Sequence, residues 1–152
     1  MSNKIYNTVF EVSLRCILLM RECDYPLSSA KIAAADFIAT YAKYFDTSQH
    51  NINGDGQFQL AEYTSRQKLV NSAIRQLVVK GFILPVESPD GFLYKLTGNG
   101  YSLATKLDSE YAHEYQSIVK GMVSKIIKMT DYELVNEIND AALKSLVWKE
   151  EG

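Results

Sequence analysis

Residues that commonly build chemical sites are scarce in this chain of 152 residues, which contains two cysteines and two histidines. Cys16 and Cys23 lie near one another in an apolar helical segment, so we expect buried, reduced thiols and neither a disulfide framework nor a zinc site. His50 lies in a polar stretch, and His113 lies beside glutamates on what is typically a solvent-facing helix stripe. No nucleophile motif or phosphate-binding glycine loop is present, so we expect neither catalysis nor a cofactor.

Long apolar runs are also missing. The longest run near the start, residues 16–20, is too short to cross a bilayer, and the N-terminal sequence lacks the apolar core of a signal peptide. Hydrophobic residues make up 47% of the chain and charged residues 22%, which is the ordinary composition of soluble globular proteins. We therefore expect a single cytosolic domain over residues 1–152 that has no membrane partner.

An excess of positive charge occurs only in the middle of the chain. The formal net charge is −2, but residues 66–96 carry five basic and two acidic side chains. This excess is small beside that of strongly basic nucleic-acid-binding domains. Contact with DNA by this segment is therefore one hypothesis, and a solvated helix face is the other.

Two helices are predicted at the start of the chain. Apolar residues recur at helical spacing over residues 5–20 and cover more than one face, so this helix should be buried on several sides by its own core and by a partner. Ser28 or Ser29 is placed to cap a second helix, which we expect to end near Phe45.

A third helix and a hairpin follow a polar loop. The helix is expected to begin between residues 59 and 65 and to end before Gly81, which stands where a left-handed C-terminal cap is expected. Two short β-prone runs then form a hairpin over residues 82–96, with Pro89 and Asp90 at the centre of its turn.

The C-terminal part is predicted to be helical. Thr97 opens a fourth helix, which its early glycines and Gly121 divide, and Thr130 or Asp131 caps a last one.

The order helix, helix, helix, hairpin, helix is that of a winged helix. The predicted fold class is therefore mainly α with a small β-hairpin wing, a winged helix-turn-helix with a C-terminal helical extension. Residues 5–96 form the winged-helix core, and residues 97–152 form the C-terminal helices.

Residues 51–62 have the spacing of a calcium-binding EF-hand loop. Such a loop has about twelve positions, with oxygen ligands at alternate positions, a glycine at the sixth and a glutamate at the last. This loop offers few carboxylates for a hard cation, and the sequence contains no second loop with which it would pair. We therefore favour a turn into the third helix over a calcium site, whose ligands would be Asn51, Asn53, Asp55, Gln57, Gln59 and Glu62.

The third helix carries the candidate nucleic-acid contacts. In a DNA-binding winged helix, the helix before the wing enters the major groove and the wing contacts the backbone. The predicted wing tip opposes this role, because it brings Glu87 and Asp90 to the place where phosphates would lie. We favour a solvated face slightly over specific DNA binding by this chain alone. The candidate contacts are Arg66, Lys68, Asn71 and Arg75.

Four segments together resemble a known family. They are FEVSLRCILLM, YPLSSAKIAAADFI, GQFQLAEYTSRQKLVNSAIRQLVVKGFI and DGFLYKLTGNGYSLATKLDSEYAHEY. In this order they are similar to the middle component of ABC three-component systems, the small winged-helix subunit of Lamassu-type bacterial defence complexes. The stretch from residue 50 to 57 departs most from the family pattern, so the calcium-like loop resembles a local insertion. The fixed polar points of the match are Glu62, Tyr63, Arg66, Ser109 and Tyr111.

The resemblance implies a non-enzymatic subunit that joins a large SMC-like ABC ATPase to an effector, often a nuclease. Such complexes sense foreign DNA of phages or plasmids, so this chain would meet DNA through the complex. Excess apolar helical surface and exposed aromatic residues suit a subunit that binds other proteins. The candidate partner-interface residues are Phe10, Leu14, Leu18, Tyr111 and Tyr115.

The alternative is a self-sufficient winged-helix transcription regulator. It would form a homodimer through its first and last helices and bind a near-palindromic DNA site.

Overall fold

The computed structural model describes residues 8–41 and 60–151, and along the last helix it describes side chains through Ala141 and at Leu143. Seven helices and three short strands occur in these residues. The helices are α1 (Val9–Cys23), α2 (Ser29–Thr40), α3 (Leu60–Val79), α4 (Gly98–Lys106), α5 (Glu110–Lys120), α6 (Val123–Lys128) and α7 (Asp131–Glu151), and the strands are β1 (Leu27–Ser28), β2 (Ile83–Ser88) and β3 (Gly91–Leu96).

The element order α1, β1, α2, α3, β2, β3 is that of a winged helix, with α4 to α7 as a C-terminal extension. The predicted fold class, mainly α with a hairpin wing, is confirmed. None of the helices in the described parts of the chain combines the length and the apolar character that crossing a membrane requires.

Hydroxyl side chains start several helices at the predicted places. The oxygens of Ser28, Thr97 and Thr130 accept hydrogen bonds from the backbone N–H three residues later, at 3.0, 3.1 and 3.1 Å. Each bond satisfies one of the N–H groups that the first turn of a helix leaves without a partner. Of the alternatives considered, the caps are Ser28 and Thr130, and not Ser29 and Asp131.

Gly81 ends α3 as predicted. Its φ of +83° lies in the left-handed region, where glycine is favoured because it has no Cβ. The N–H of Gly81 donates to the carbonyl of Val78 at 3.0 Å, and the N–H of Phe82 donates to that of Leu77 at 2.9 Å. These two bonds form a Schellman cap, which turns the chain directly into the wing.

The wing belongs to a three-stranded antiparallel sheet with the strand order β1, β3, β2. Ser88 pairs with Gly91, so Pro89 and Asp90 form the turn, as the sequence predicts. Ile83 and Leu96 pair with each other at the base of the hairpin and are buried in the core.

Helix α1 is the centre of the main hydrophobic core. It packs against each helix from α2 to α6 and buries nine of its fifteen residues. The prediction that this helix is covered on several sides is confirmed for its own core. A second cluster joins Phe37 of α2 and Tyr41, which follows α2, to Tyr63 of α3 and to Leu134 and Ile138 of α7.

The prediction of one continuous helix between the early glycines and Gly121 is wrong, because the helix is interrupted at residues 107–109. Leu107 is extended, with φ −86° and ψ 94°, and the Ser109 side chain accepts from the Ala112 N–H at 3.1 Å and starts α5. Short polar side chains compete with helical hydrogen bonds in this way. The predicted division at Gly121 is confirmed, whereas the division at the early glycines is wrong, because Gly98 and Gly100 lie inside α4.

The ends of the first two helices also differ from their predicted positions. Helix α1 continues beyond Met20 to Cys23, because left-handed Asp24 (φ 48°) closes it and donates its N–H to the Met20 carbonyl at 2.9 Å. Helix α1 begins at Val9, after extended Thr8, and α2 ends at Thr40, so both are shorter than predicted. The predicted boundary residues Ile5 and Phe45 themselves lie outside the described residues.

We predict that Gly100→Ala destabilises the chain, by roughly 1–3 kcal/mol as is typical of overpacking. A Cβ on Gly100 would lie 2.9 Å from Leu96 Cδ2 and closer still to the Phe82 carbonyl oxygen, so α4 would have to move away from the wing. Thermal unfolding measures the effect. Gly98→Ala is the matched control, because a Cβ there has no atom within 4 Å. Equal melting temperatures for the two variants would contradict the tight contact at Gly100.

Candidate functional site

A buried carboxylate lies at the point where the winged-helix core meets the C-terminal helices. Asp36 is in the middle of α2, within a run of residues that are all buried from Ile32 to Ala39. A charged side chain is this deeply buried only when it is paired and hydrogen-bonded. We refer to Asp36 and the side chains bound to it, Arg15, Arg66 and Tyr115, as the Asp36 cluster.

Three side chains from three other helices bind Asp36. Arg15 of α1 donates from Nε and Nη2 to the two carboxylate oxygens, at 2.9 and 3.1 Å. Arg66 of α3 donates from Nη1 to Oδ2 at 3.0 Å, and the Tyr115 hydroxyl of α5 donates to Oδ1 at 2.6 Å. Arg66 Nη1 also lies 2.9 Å from the hydroxyl of Thr40. A single carboxylate thus joins α1, α2, α3 and α5.

The electrostatics of the cluster favour an ionised Asp36. Burial alone would raise the pKa of this carboxyl, but the charge and hydrogen bonds of Arg15, together with Arg66 and Tyr115, hold it below the ordinary value of 3.8. Burial and the neighbouring Asp36 charge raise the pKa of Tyr115 well above 10, so its hydroxyl stays protonated and donates. Asp36 and Tyr115 therefore keep the protonation states that their hydrogen bonds require.

Aromatic rings surround the Arg66 end of the cluster. The guanidinium carbon of Arg66 lies 5.3 Å from the Phe37 ring centre and 5.9 Å from that of Tyr41. The Tyr63 ring meets the Phe37 ring edge-on, with centres 5.4 Å apart. The Tyr41 hydroxyl donates to Glu62 at 2.6 Å. These contacts connect the start of α3 to α2.

The opposite end of the cluster supports a surface groove between α1 and the α4–α5 corner. This groove, which we call the α1–α5 groove, has a volume of about 420 Å³. Buried Arg15 forms part of its wall, next to Leu14, and Tyr111 lies one helical turn before Tyr115 on α5. The lining residues are Glu11, Leu14, Arg15, Leu18, Lys106, Leu107, Asp108, Ser109, Tyr111 and Ala112.

The candidate partner-interface residues are divided among this groove, the surface next to it and the core. Phe10 and Tyr111 are 67% and 49% exposed, and half-buried Leu14 lines the groove. Leu18 is almost fully buried and contributes only to the groove wall. The prediction of Tyr115 as a partner contact is corrected, because its side chain is buried and bound to Asp36.

Some of the candidate nucleic-acid contacts are exposed, and one is buried. Lys68, Asn71 and Arg75 are exposed on α3, as a DNA-facing helix requires. Arg66 is corrected, because it is 2% exposed and its guanidinium is bound to Asp36. The prediction set Arg66 apart from the apolar stripe of α3, but Arg66 lies one helical turn before Val70 on the buried face, where it binds the carboxylate of α2.

Most of the candidate calcium ligands lie outside the described residues. They are Asn51, Asn53, Asp55, Gln57 and Gln59. Glu62 is described, and it accepts the hydrogen bond from Tyr41. Over residues 8–41 and 60–151, no group of three or more histidine, cysteine or acidic side chains is placed to hold a metal ion.

Sequence reasoning missed two parts of this site. The first is Asp36, whose signal was a lone carboxylate inside the apolar run IAAADFIA, and Arg15 stands alone in the same way within VSLRCILL. The second is the corner at residues 106–109, which forms a groove wall only because the fourth helix breaks there. Ser109 carried a signal, since it is the type of residue that caps a helix.

Comparison with known proteins identifies one family. A model of the family described as ABC-three component (ABC-3C) system Middle Component 2 matches residues 5–148. Searches of curated proteins and of solved structures find no significant match to the chain.

We predict that Asp36→Asn destabilises the chain by about 3–5 kcal/mol, because it removes the negative charge that compensates two buried guanidinium groups. Urea unfolding followed by circular dichroism measures the change. Asp140→Asn, at an exposed position on α7, is the matched control and should change stability by less than about 0.5 kcal/mol. Similar losses in both variants would contradict the role of the cluster.

The pH dependence of stability is a second test of the cluster. Because the folded pKa of Asp36 lies below 3.8, its ionised form stabilises the fold above about that pH and loses this contribution as the pH falls through the folded pKa. We expect Asp36→Asn to flatten the acid limb of the unfolding free energy measured against pH. A variant curve parallel to that of the wild type would show that Asp36 does not titrate with the predicted sign.

Proposed function

The chain belongs to the ABC-three component system Middle Component 2 family, and from this premise we propose that it is a non-catalytic subunit of a bacterial defence complex. Its partners in this proposal are a large SMC-like ABC ATPase and an effector, often a nuclease, in a Lamassu-type assembly in the cytoplasm that senses foreign DNA. A middle component of a multi-component system has protein partners by definition. The remaining question is how this chain binds them.

The α1–α5 groove is the observation that carries the proposal. It is lined by the apolar side chains of Leu14, Leu18 and Leu107 together with the Tyr111 ring, and exposed Phe10 lies one helical turn from Leu14. Exposed apolar surface with a polar rim is typical of protein-binding sites. A supporting cluster of buried charges holds the helices on both sides of this groove, so the surface is formed before a partner arrives.

The chemistry of the described residues supports a non-catalytic role. Burial raises the pKa of the Cys16 thiol well above its ordinary value and that of Cys23 to about 11, so neither is a ready nucleophile. The carboxylate of Asp36, the most buried acid, is bound to Arg15, Arg66 and Tyr115. We expect the chemistry of the complex to be performed by the ATPase and the effector.

The surface of α3 supports contact with DNA as part of the complex. Lys68, Asn71 and Arg75 are exposed, and the sequence has no acidic residue between Glu62 and Glu87. The wing tip opposes tight binding by this chain alone, because Glu87 and Asp90 are exposed beside the path of a bound duplex. This α3 surface also favours the second candidate function, a homodimeric winged-helix transcription regulator.

Co-purification separates the two candidate functions. The tagged chain is expressed with the products of the neighbouring genes, purified and sized with and without a DNA fragment. We expect a large ATPase to co-elute with the chain. A lone dimer that shifts DNA at moderate salt would overturn the subunit proposal and support the regulator.

We predict that Arg75→Glu leaves assembly of the complex intact while weakening its binding to DNA. Arg75 is exposed on α3, so its reversal changes the charge seen by phosphates and leaves the α1–α5 groove unaltered. Sizing measures assembly, and a salt titration of DNA binding measures the electrostatic contact. Lys128→Glu, at an exposed position at the end of α6, makes the same charge change elsewhere and serves as the control. Loss of the complex in Arg75→Glu would place the protein interface on α3.

A further inference from the structure

We propose that the α1–α5 groove binds a basic segment of a protein partner, one that inserts an apolar side chain between Leu14 and Tyr111 and surrounds it with lysine or arginine. The inference rests on the proposed function and specifies the chemistry of the partner surface. It follows from the shape of the groove, from the charges on its rim and from the way its walls are held.

The size and lining of the groove suit side chains of a protein. Its volume of about 420 Å³ lies within the range of pockets that hold small molecules, which is also room for a side chain of a protein partner. Leu14, Leu18, Leu107 and Ala112 supply apolar walls, and the Tyr111 ring stands half exposed at the mouth. A partner that covers this ring and nearby Phe10 gains free energy by removing apolar area from water.

A small polar ligand fits the groove less well. Such ligands are oriented by a few converging polar groups in the pocket. The most buried polar group in the groove wall is the Arg15 guanidinium, which forms two hydrogen bonds to Asp36. The lining therefore offers apolar contact more than polar recognition.

Acidic side chains on the rim of the groove indicate that the partner segment is basic. Glu11 and Asp108 line the groove, and α5 adds exposed Glu110 and Glu114 close to Tyr111 in sequence. The exposed cation in the lining is Lys106, while the Arg15 guanidinium is buried and paired with Asp36, a carboxylate that it shares with Arg66. The surface around the apolar groove is thus acidic, which attracts and orients a basic segment.

The walls of the groove are fixed in the free chain. Arg15 on the α1 side and Tyr115 on the α5 side both bind Asp36, and Ser109 caps the first turn of α5. A preformed site binds more tightly because little ordering is required when the partner arrives.

Site-specific photo-crosslinking in the assembled complex tests the inference. Tyr111 is replaced with p-benzoylphenylalanine, and Phe92, an aromatic residue of similar exposure on the wing, is replaced in a control chain. Crosslinked peptides are identified by mass spectrometry. We expect Tyr111 to crosslink to a segment of another protein that contains an apolar residue flanked by lysine or arginine, and Phe92 not to reach it. A crosslink to a second copy of this chain, to an acidic or uncharged segment, or from Phe92 alone would overturn the inference.

Charge reversal gives a matched test of the rim. We expect Asp108→Lys to weaken binding of the partner by about tenfold and to reduce its dependence on salt. Glu87→Lys makes the same charge change at the wing, away from the groove, and should leave affinity within about twofold of the wild type. Equal effects of the two variants, or tighter binding of Asp108→Lys, would contradict a basic partner.

The two proposals fail in different ways. If the wild-type chain assembles with no other protein, the proposed function is wrong, and the groove inference fails with it. If a complex forms and both groove tests give the contradicting result, the chain is a subunit that binds its partner through another surface.

Discussion

The ionised Asp36 is the interaction on which the arrangement of the molecule depends. A carboxylate in the core is stable only if its charge and its hydrogen bonds are satisfied, and Asp36 obtains this from one helix on each of three sides. The requirement is mutual, because the guanidinium groups of Arg15 and Arg66 are also almost completely buried. Helices α1, α2, α3 and α5 therefore have one relative placement that satisfies all these groups.

This placement links the two parts of the chain. Arg15, Asp36 and Arg66 belong to the three helices of the winged-helix core, whereas Tyr115 belongs to the C-terminal extension. Tyr115 thereby orients α5, and α5 presents Tyr111 to the groove. The same cluster draws Arg66 away from the surface that would meet DNA, and it leaves Lys68, Asn71 and Arg75 there. The Asp36 cluster thus lies between the α1–α5 groove and the exposed basic side chains of α3.

Features determined by local chemistry were predictable from the sequence. The caps Ser28, Thr97 and Thr130, the left-handed Gly81 and the hairpin turn all depend on residues within a few positions of one another. All were predicted, Ser28 and Thr130 each as one of two neighbouring candidates. The family match also agrees with the resemblance found in the sequence. The roles of Arg66 and Tyr115 depend on a partner 30 and 79 residues away, and no local pattern reports such a distance. The break before Ser109 was missed because the apolar spacing on both sides of it is helical.

The central claim is that this chain binds its partner through the α1–α5 groove, and hydrogen–deuterium exchange tests it most directly. Exchange is measured for the chain alone and for the chain in its purified complex. Slower exchange in the complex is predicted along residues 106–114 and the first half of α1, with the exposed face of α3 unchanged when DNA is absent. Protection that is confined to α3 and the wing would contradict the account and place the partner on the basic side.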